Sequence, residues 1–156
     1  IRDRARAKGA YPILVTPTSR RRFDENGKSV NTHGDYPDAV RWVAAKENVP
    51  LIELNGMTAT LFNALGVDNS TKAFVHYPAG TFPGQTKALK DNTHFSTYGA
   101  YEVAKCVIEG MKKANLEIAK YLRPDYKGFD PAQPDSFESF KWNLCSFTEN
   151  EKPDGN

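Results

Sequence analysis

Two short apolar runs that alternate with helix-like segments constrain the fold of this chain most strongly. Residues Tyr11–Thr16 and Val49–Leu54 each have the length of one β-strand and are rich in side chains that pack inside proteins. A helical pattern separates them, beginning near Asp35 and ending near Asn48. Strands that alternate with helices favour a parallel sheet covered on both faces. The pattern therefore predicts an α/β fold.

Further helices are predicted on both sides of these strands. They cover Ile1–Gly9, Gly56–Leu65 and Thr97–Ala114, and the last one continues or restarts through Leu116–Leu122. The stretch Val67–Lys90 contains glycine and proline without periodicity, which predicts a long loop. From Arg123 onward, prolines and scattered aromatic residues indicate an irregular tail. We therefore predict a domain over residues 1–122 and a tail over residues 123–156.

Only two strands are evident, and two parallel strands make a poor independent core. The chain also opens with the end of a helix and with Ile1 rather than methionine. We therefore expect that the rest of the sheet lies in a segment upstream of Ile1.

Composition excludes several classes of partner. At 156 residues, with 39% hydrophobic and 26% charged side chains, the chain is a globular domain in size and character. A net charge of +2 is too small to imply a nucleic-acid partner on its own. No apolar run approaches the roughly 20 residues that span a bilayer. Cys106 and Cys145 permit a disulfide that would fit an exported protein, and two unpaired thiols fit equally well.

Most of the candidate chemistry lies in Lys90–Tyr101. Asp91 and His94 stand three residues apart, just before a helix for which Ser96 is the expected N-cap. We expect both side chains in the loop that leads into this helix. A carboxylate beside an imidazole fixes the tautomer of the ring and stabilises the imidazolium, as a general base requires. The same spacing also fits a turn aspartate beside an ordinary surface histidine.

A second group of candidates lies in the loops at the same predicted edge of the sheet. Arg20, Arg21 and Arg22 follow the first strand, and His33 and His76 lie in later loops. Arginine binds carboxylates through two parallel hydrogen bonds, although a solvated loop face explains such a run as well. No group of His, Cys, Asp and Glu has the spacing of metal ligands, so we predict no metal and no cofactor.

The stretch Asp91–Ala100, reading Asp-Asn-Thr-His-Phe-Ser-Thr-Tyr-Gly-Ala, resembles the last sequence block of the SGNH (GDSL-type) hydrolases. Within that superfamily it is most similar to the rhamnogalacturonan acetylesterases. The strand Ile13–Thr16 before Pro-Thr supports the resemblance, as does Val49–Glu53 before a helix that ends at Leu65-Gly66. The resemblance implies a three-layer α/β/α, flavodoxin-like fold, of which this chain is the C-terminal half.

The resemblance also implies a function. The chain would be part of a serine esterase that removes acetyl groups from a pectic polysaccharide such as rhamnogalacturonan, in a secreted or periplasmic location. His94 would be the base and Asp91 its orienting acid, while Arg20, Arg21, Arg22 and His76 would bind the substrate. The Gly-Asp-Ser and Gly-x-Asn-Asp blocks of the family are absent here. We therefore expect the N-terminal half of the same domain to carry the serine, and the isolated chain to be inactive.

Two alternatives remain open. The missing nucleophile block fits a binding or structural α/β module without catalysis. A different SGNH activity, such as a lipase or thioesterase, also fits, although the polar, arginine-bearing loops favour a polar substrate.

Overall fold

A computed structural model describes residues 2–142 of the chain. Its helices and strands occur in the order α1 (Arg2–Arg6), β1 (Leu14–Val15), α2 (Tyr36–Lys46), β2 (Leu51–Ile52), α3 (Leu54–Asn69), β3 (Phe74–Tyr77), β4 (Leu89–Phe95) and α4 (Thr97–Lys113). Short 3₁₀ helices follow α3 at Ser70–Ala73 and α4 at Glu117–Tyr121. All the helices and both strands predicted from the sequence are present, although several have different ends.

The predicted parallel pairing is confirmed by β1 and β2. Leu14 lies opposite Leu51 and Val15 lies opposite Ile52, in parallel register. The amide of Thr16 extends the ladder by donating to the carbonyl oxygen of Ile52 at 3.1 Å. Within residues 2–142, each of these strands pairs only with the other. The ladder is therefore shorter than the apolar runs that predicted it.

The prediction of a long loop over Val67–Lys90 is wrong. The helix α3 continues past Leu65, and the chain then forms β3, which pairs with β4 in an antiparallel sheet. Gly66 has a positive φ of 72° inside α3, so the predicted helix stop is a kink rather than an end. The strand β4 escaped prediction because it is mostly polar and exposed, and such a strand has no apolar alternation.

The core lies between α3, the β3 strand and α4. Its fully buried members include Leu61, Phe62, Phe74 and Cys106. The rings of Phe62 and Phe74 lie 5.3 Å apart, and Phe95 at the end of β4 stacks 5.0 Å from Phe74. The end of β4 is thus anchored in the core, although most of that strand is polar.

The helix α4 approaches the core closely because glycines lie on its inner face. A Cβ atom on Gly99 would overlap the backbone of Ala73, and one on Gly110 would overlap the side chain of Ile52. These two glycines are separated by three helical turns, so they lie on one face of α4. The absence of side chains at these two positions therefore allows α4 to pack closely against the core along its length.

Residues 123–142 contain neither helix nor strand, but they pack against α4. The Tyr98 hydroxyl donates to the carbonyl oxygen of Asp135 at 2.6 Å, and Lys105 lies 2.7 Å from the Asp135 carboxylate and 2.9 Å from that of Glu102. Burial raises the pKa of the Glu102 carboxyl, and Lys105 opposes that rise. Cys106 is buried in α4, whereas Cys145, with which the sequence permits but does not require a disulfide, lies outside the described residues.

Candidate active site

Asp91 and His94 lie in an irregular part of β4, and their predicted position in a loop is wrong. Phe95 pairs with Phe74, and Lys90 pairs with His76. Between these two pairs, β3 contributes only Val75, whereas β4 contributes the four residues 91–94. We call residues 91–94 the bulge. Bulges redirect side chains and occur beside active sites, and no periodicity in the sequence reports them.

Within the bulge, Asp91 holds His94 through both carboxylate oxygens. The Oδ2 atom of Asp91 lies 2.6 Å from Nδ1 of His94. The Oδ1 atom accepts hydrogen bonds from the backbone amides of Thr93 and His94, at 2.6 and 3.1 Å. Because the carboxylate can only accept, the neutral ring must carry its proton on Nδ1. Nε2 is then the basic nitrogen.

The pair faces solvent unequally. The His94 side chain is 76% exposed and that of Asp91 is 37% exposed. The hydrogen bond with His94, followed by those from the amides of Thr93 and His94, lowers the pKa of Asp91 to about 2. Asp91 is thus an anion at any pH near neutrality, and His94 presents Nε2 outward, where a second group can approach it.

This low pKa predicts an acid-dependent contribution of Asp91 to folding. Because the folded value of about 2 lies below the ordinary value of 3.8, the interactions of the carboxylate stabilise the fold above about pH 4. They are lost as the pH falls through about 2. The thermal midpoint of the wild-type chain should exceed that of Asp91→Asn at neutral pH, and the difference should close over that range.

Thermal unfolding followed by circular dichroism at a series of pH values measures this difference. Asp35→Asn is a matched control, because Asp35 is exposed and its side chain makes no capping hydrogen bond. A wild-type advantage that stays constant down to about pH 2 would contradict the Asp91–His94 hydrogen bond.

Ser96 fixes the start of α4 directly after the bulge, as predicted. Its Oγ accepts a hydrogen bond from the amide of Gly99 at 3.1 Å and donates one to the carbonyl oxygen of Lys72 at 2.6 Å. Its own amide donates to the carbonyl oxygen of Ala73 at 3.1 Å. The residue two positions after His94 is therefore tied both to the helix and to the segment before β3.

The three predicted arginines have different surroundings. Arg20 and Arg22 are exposed, whereas Arg21 is half-buried. The Arg21 guanidinium donates to the Ser70 hydroxyl at 2.9 Å, to the side-chain oxygen of Asn92 at 3.2 Å and to the carbonyl oxygen of Val67. Partial burial lowers the pKa of Arg21, and the charge of Asp68 opposes this. Its substrate contact stays a prediction, and its contacts in this structure are with protein.

His76 lies next to the bulge and contacts the same asparagine. Its Nε2 atom is 2.9 Å from the side-chain oxygen of Asn92. Asn92 thus links two of the predicted substrate-binding residues, Arg21 and His76, with the bulge. Asn92 was not among the predicted site residues, and its only signal in the sequence is its position between Asp91 and His94.

An open cleft lies at the carboxyl end of β1, beside the bulge. Its lining includes residues 15–20, His33, Leu54 and Thr93. The amide of Arg21 donates to the carbonyl oxygen of Asn92 at 2.8 Å, which ties the segment after β1 to the bulge. The predicted edge of the parallel sheet and the Asp91–His94 pair are therefore neighbours.

A polar network that no sequence motif indicates includes Thr16, which lines this cleft. Glu53 accepts two hydrogen bonds from Arg41, at 2.6 and 2.7 Å, and one from Thr16 at 3.1 Å. The Asn55 amide donates to the Thr16 hydroxyl at 2.8 Å. The hydrogen bonds of Arg41 lower the pKa of Glu53. The network joins α2 to the ends of both parallel strands.

Within residues 2–142, no group of three or more His, Cys, Asp or Glu side chains is arranged to hold a metal ion. No helix in that range is long and apolar enough to cross a membrane.

A parallel strand pair, a cleft at its carboxyl end and an exposed histidine held by an aspartate also occur together in serine hydrolases of the α/β class. No protein-family model matches the chain. Among solved structures, it is similar to the protein YxiM from Bacillus subtilis, with a TM-score of 0.59 and 23% identity over 74% of this chain and 29% of that one. This similarity supports an SGNH-like fold.

Curated proteins give the particular relationship. The chain is 44% identical over 120 residues to "Rhamnogalacturonan acetylesterase RhgT" of Bacillus subtilis, which is 77% of this chain and 52% of the relative. It is 35% identical over 118 residues to "Probable rhamnogalacturonan acetylesterase YesY" of the same organism, which is 76% of this chain and 50% of the relative. The predicted resemblance to the rhamnogalacturonan acetylesterases is confirmed. The chain spans about half the length of these relatives.

Proposed function

We propose that this chain is part of a carbohydrate esterase that removes acetyl groups from a pectic polysaccharide of the rhamnogalacturonan type. The hydrogen bond between Asp91 and His94, made inside a bulge that leaves Nε2 of the ring exposed, carries this proposal. The similarity to curated rhamnogalacturonan acetylesterases supports it. The hydrogen bond concerns the group that would activate a nucleophile, and the similarity extends over most of the chain.

In the proposed mechanism, Nε2 of His94 removes the proton from a serine hydroxyl while that oxygen attacks the acetyl carbonyl carbon. Asp91 accepts the Nδ1 hydrogen bond and stabilises the imidazolium that forms. The bond from the acetyl carbon to the sugar oxygen then breaks, and His94 returns its proton to that oxygen. Water cleaves the acetyl-serine in a second round, again with His94 as the base, and acetate is released.

The serine belongs to another segment in this proposal. In the described part of the chain, the hydrogen-bond partner of the His94 ring is Asp91, and no serine hydroxyl reaches its Nε2. We propose that the N-terminal half of the same hydrolase domain supplies the serine. Its oxygen would approach from the solvent side, where Nε2 is exposed.

The substrate class fits the exposed cations at this edge. Arg20 lines the cleft beside Thr93, and Arg22 is exposed two residues later. Galacturonate units carry carboxylates that arginine binds through paired hydrogen bonds. The role of these arginines in binding the polysaccharide is a proposal, as is a location outside the cytoplasm, where such polymers occur.

In this proposal the histidine and aspartate lie in this chain and the serine lies in another segment, so we expect no esterase activity from this chain by itself. Incubated with p-nitrophenyl acetate, the isolated chain should release nitrophenol at the background rate. The longer protein that includes the serine-bearing segment should release acetate from acetylated rhamnogalacturonan and lose this activity on treatment with a serine-directed fluorophosphonate.

Two results would overturn the proposal in different ways. Turnover by the isolated chain that His94→Ala abolishes would mean that a nucleophile lies within these 156 residues. A longer protein that binds the polysaccharide without releasing acetate would instead favour a binding module without catalysis.

A further inference from the structure

The bulge needs support from outside itself. Between the pairs Phe74–Phe95 and His76–Lys90, its four residues oppose Val75 alone, so the regular ladder cannot hold them. The hydrogen bonds of Asp91 to Thr93 and His94 are all internal to the bulge. They orient the ring relative to the carboxylate only while the backbone of residues 91–94 keeps this conformation, and they do not fix the pair relative to the cleft.

Asn92 makes the external contacts. Its backbone carbonyl oxygen accepts from the amide of Arg21 at 2.8 Å. Its side-chain oxygen accepts from the Arg21 guanidinium at 3.2 Å and lies 2.9 Å from Nε2 of His76. One residue of the bulge is therefore held from two sides, by the segment after β1 and by β3.

Arg21 is in turn anchored in the protein. Its Nε donates to the hydroxyl of Ser70, a fully buried residue, at 2.9 Å, and another of its nitrogens donates to the carbonyl oxygen of Val67. Since Ser70 also donates to Val67 at 3.0 Å, the guanidinium is joined to a closed set of hydrogen bonds at the end of α3. Each of its three nitrogens has a protein partner.

From this arrangement we infer that Arg21 and Asn92 are positioning residues for the catalytic pair. Arg21 connects the buried end of α3 to Asn92, and Asn92 fixes the bulge that carries Asp91 and His94. The inference rests on the proposed esterase function, and it separates Arg21 from its exposed neighbours Arg20 and Arg22. The two residues act on the geometry of His94 without touching the substrate.

The test uses Arg21→Ala, Asn92→Ala and the double variant in the longer, serine-containing protein. Each single variant should lower kcat for p-nitrophenyl acetate roughly tenfold to a hundredfold, because a catalytic group that is misplaced by about 1 Å reacts more slowly by a factor of that order. KM for this small ester should stay close to that of the wild type. The double variant should be little slower than either single variant, because the two side chains act through one contact.

The rescue variant is Asn92→Asp, which keeps an oxygen acceptor for Arg21 and His76. It should recover most of the rate lost in Asn92→Ala. Arg123→Ala is the matched control for loss of an arginine, since Arg123 is exposed and pairs with Asp125 in the tail. The control should retain wild-type kcat and KM.

A spectroscopic measurement separates positioning from simple loss of stability. In ¹⁵N-detected NMR of this chain, neutral His94 should carry its proton on Nδ1, held by Asp91. In Asn92→Ala, the signal should shift toward a mixture of the two tautomers at a temperature well below the unfolding midpoint. Asn92→Asp should restore the Nδ1 form.

Additive losses in the double variant would overturn the inference, as would an unchanged His94 tautomer in a folded Asn92→Ala chain. A rise in KM with unchanged kcat in Arg21→Ala would also overturn it and return Arg21 to substrate binding. The NMR measurement does not depend on activity. Absence of esterase activity in the wild-type longer protein would therefore refute the proposed function while leaving the positioning of His94 measurable.

Discussion

Replacing His94 by alanine is expected to lower kcat of the proposed serine-containing esterase by about 10⁵-fold or more. In the proposed mechanism the ring both removes the proton of the serine and delivers it to the departing sugar oxygen, so its loss would disable two steps at once. Because the side chain is 76% exposed, its removal leaves no cavity, and the thermal midpoint should fall only by as much as the lost hydrogen bond to Asp91 contributes. Acetate release under single-turnover conditions measures the loss without interference from product release.

Asp91→Asn is expected to lower kcat less, by about 10³- to 10⁴-fold. An amide in place of the carboxylate presents either an oxygen or a nitrogen to Nδ1 and provides no charge to stabilise the imidazolium. Asp125→Asn, the same chemical change on an exposed residue of the tail, is the matched control and should keep full activity.

The order of these effects tests the assignment of roles. If Asp91→Asn were the slower enzyme, Asp91 rather than His94 would be the group that exchanges protons with the substrate. If both variants retained wild-type rates, the pair would be a surface hydrogen bond, and the base would lie elsewhere.

The parts of the structure that the sequence predicted are those with a periodic or local signal. The apolar runs around Leu14 and Leu51 predicted a parallel strand pair, and Ser96 predicted the start of α4. Each of these depends on a few neighbouring residues or on a simple repeat. They sufficed to place Asp91 and His94 together before the last helix.

The bulge could not be predicted, because it depends on the register between β3 and β4. That register is set by Phe74 and Phe95, whose rings pack in the core, and by the pairing of His76 with Lys90. Neither pairing is local in the sequence. The sequence of a polar strand that is buried only at one end therefore resembles that of a loop, and its strand conformation becomes evident only from its pairing partner.

The arginine run shows a similar limit. The sequence does not distinguish Arg20, Arg21 and Arg22, but the chain bends at Arg21 and the three side chains have different surroundings. Arg21 turns inward to Ser70, and its two neighbours stay exposed. The partners of Arg21, which include Ser70 and the carbonyl oxygen of Asn92, are distant from it in the sequence, so the run itself does not indicate which arginine is buried.

The largest loss of stability is expected from Gly99→Ala, at about 3 kcal/mol or more. A Cβ at this position would overlap the carbonyl oxygen, carbonyl carbon and Cα of Ala73, all backbone atoms. Relief requires that the first turn of α4 or the segment before β3 moves. The gain of about 1 kcal/mol in helix propensity from glycine to alanine is too small to offset this. Urea denaturation of the chain measures the change.

Gly110→Ala is the matched comparison, because its Cβ would meet side-chain atoms, chiefly Cγ2 of Ile52, rather than backbone atoms. It should cost less than Gly99→Ala. The two variants should also affect the active site differently. The carbonyl oxygen of Ala73, which Gly99 faces, accepts a hydrogen bond from the amide of Ser96, and Ser96 lies two residues after His94. In the longer enzyme, Gly99→Ala should therefore lower kcat at temperatures where the protein remains folded, and Gly110→Ala should not. Equal losses of stability and activity in the two variants would show that α4 does not hold the bulge in place through Ala73.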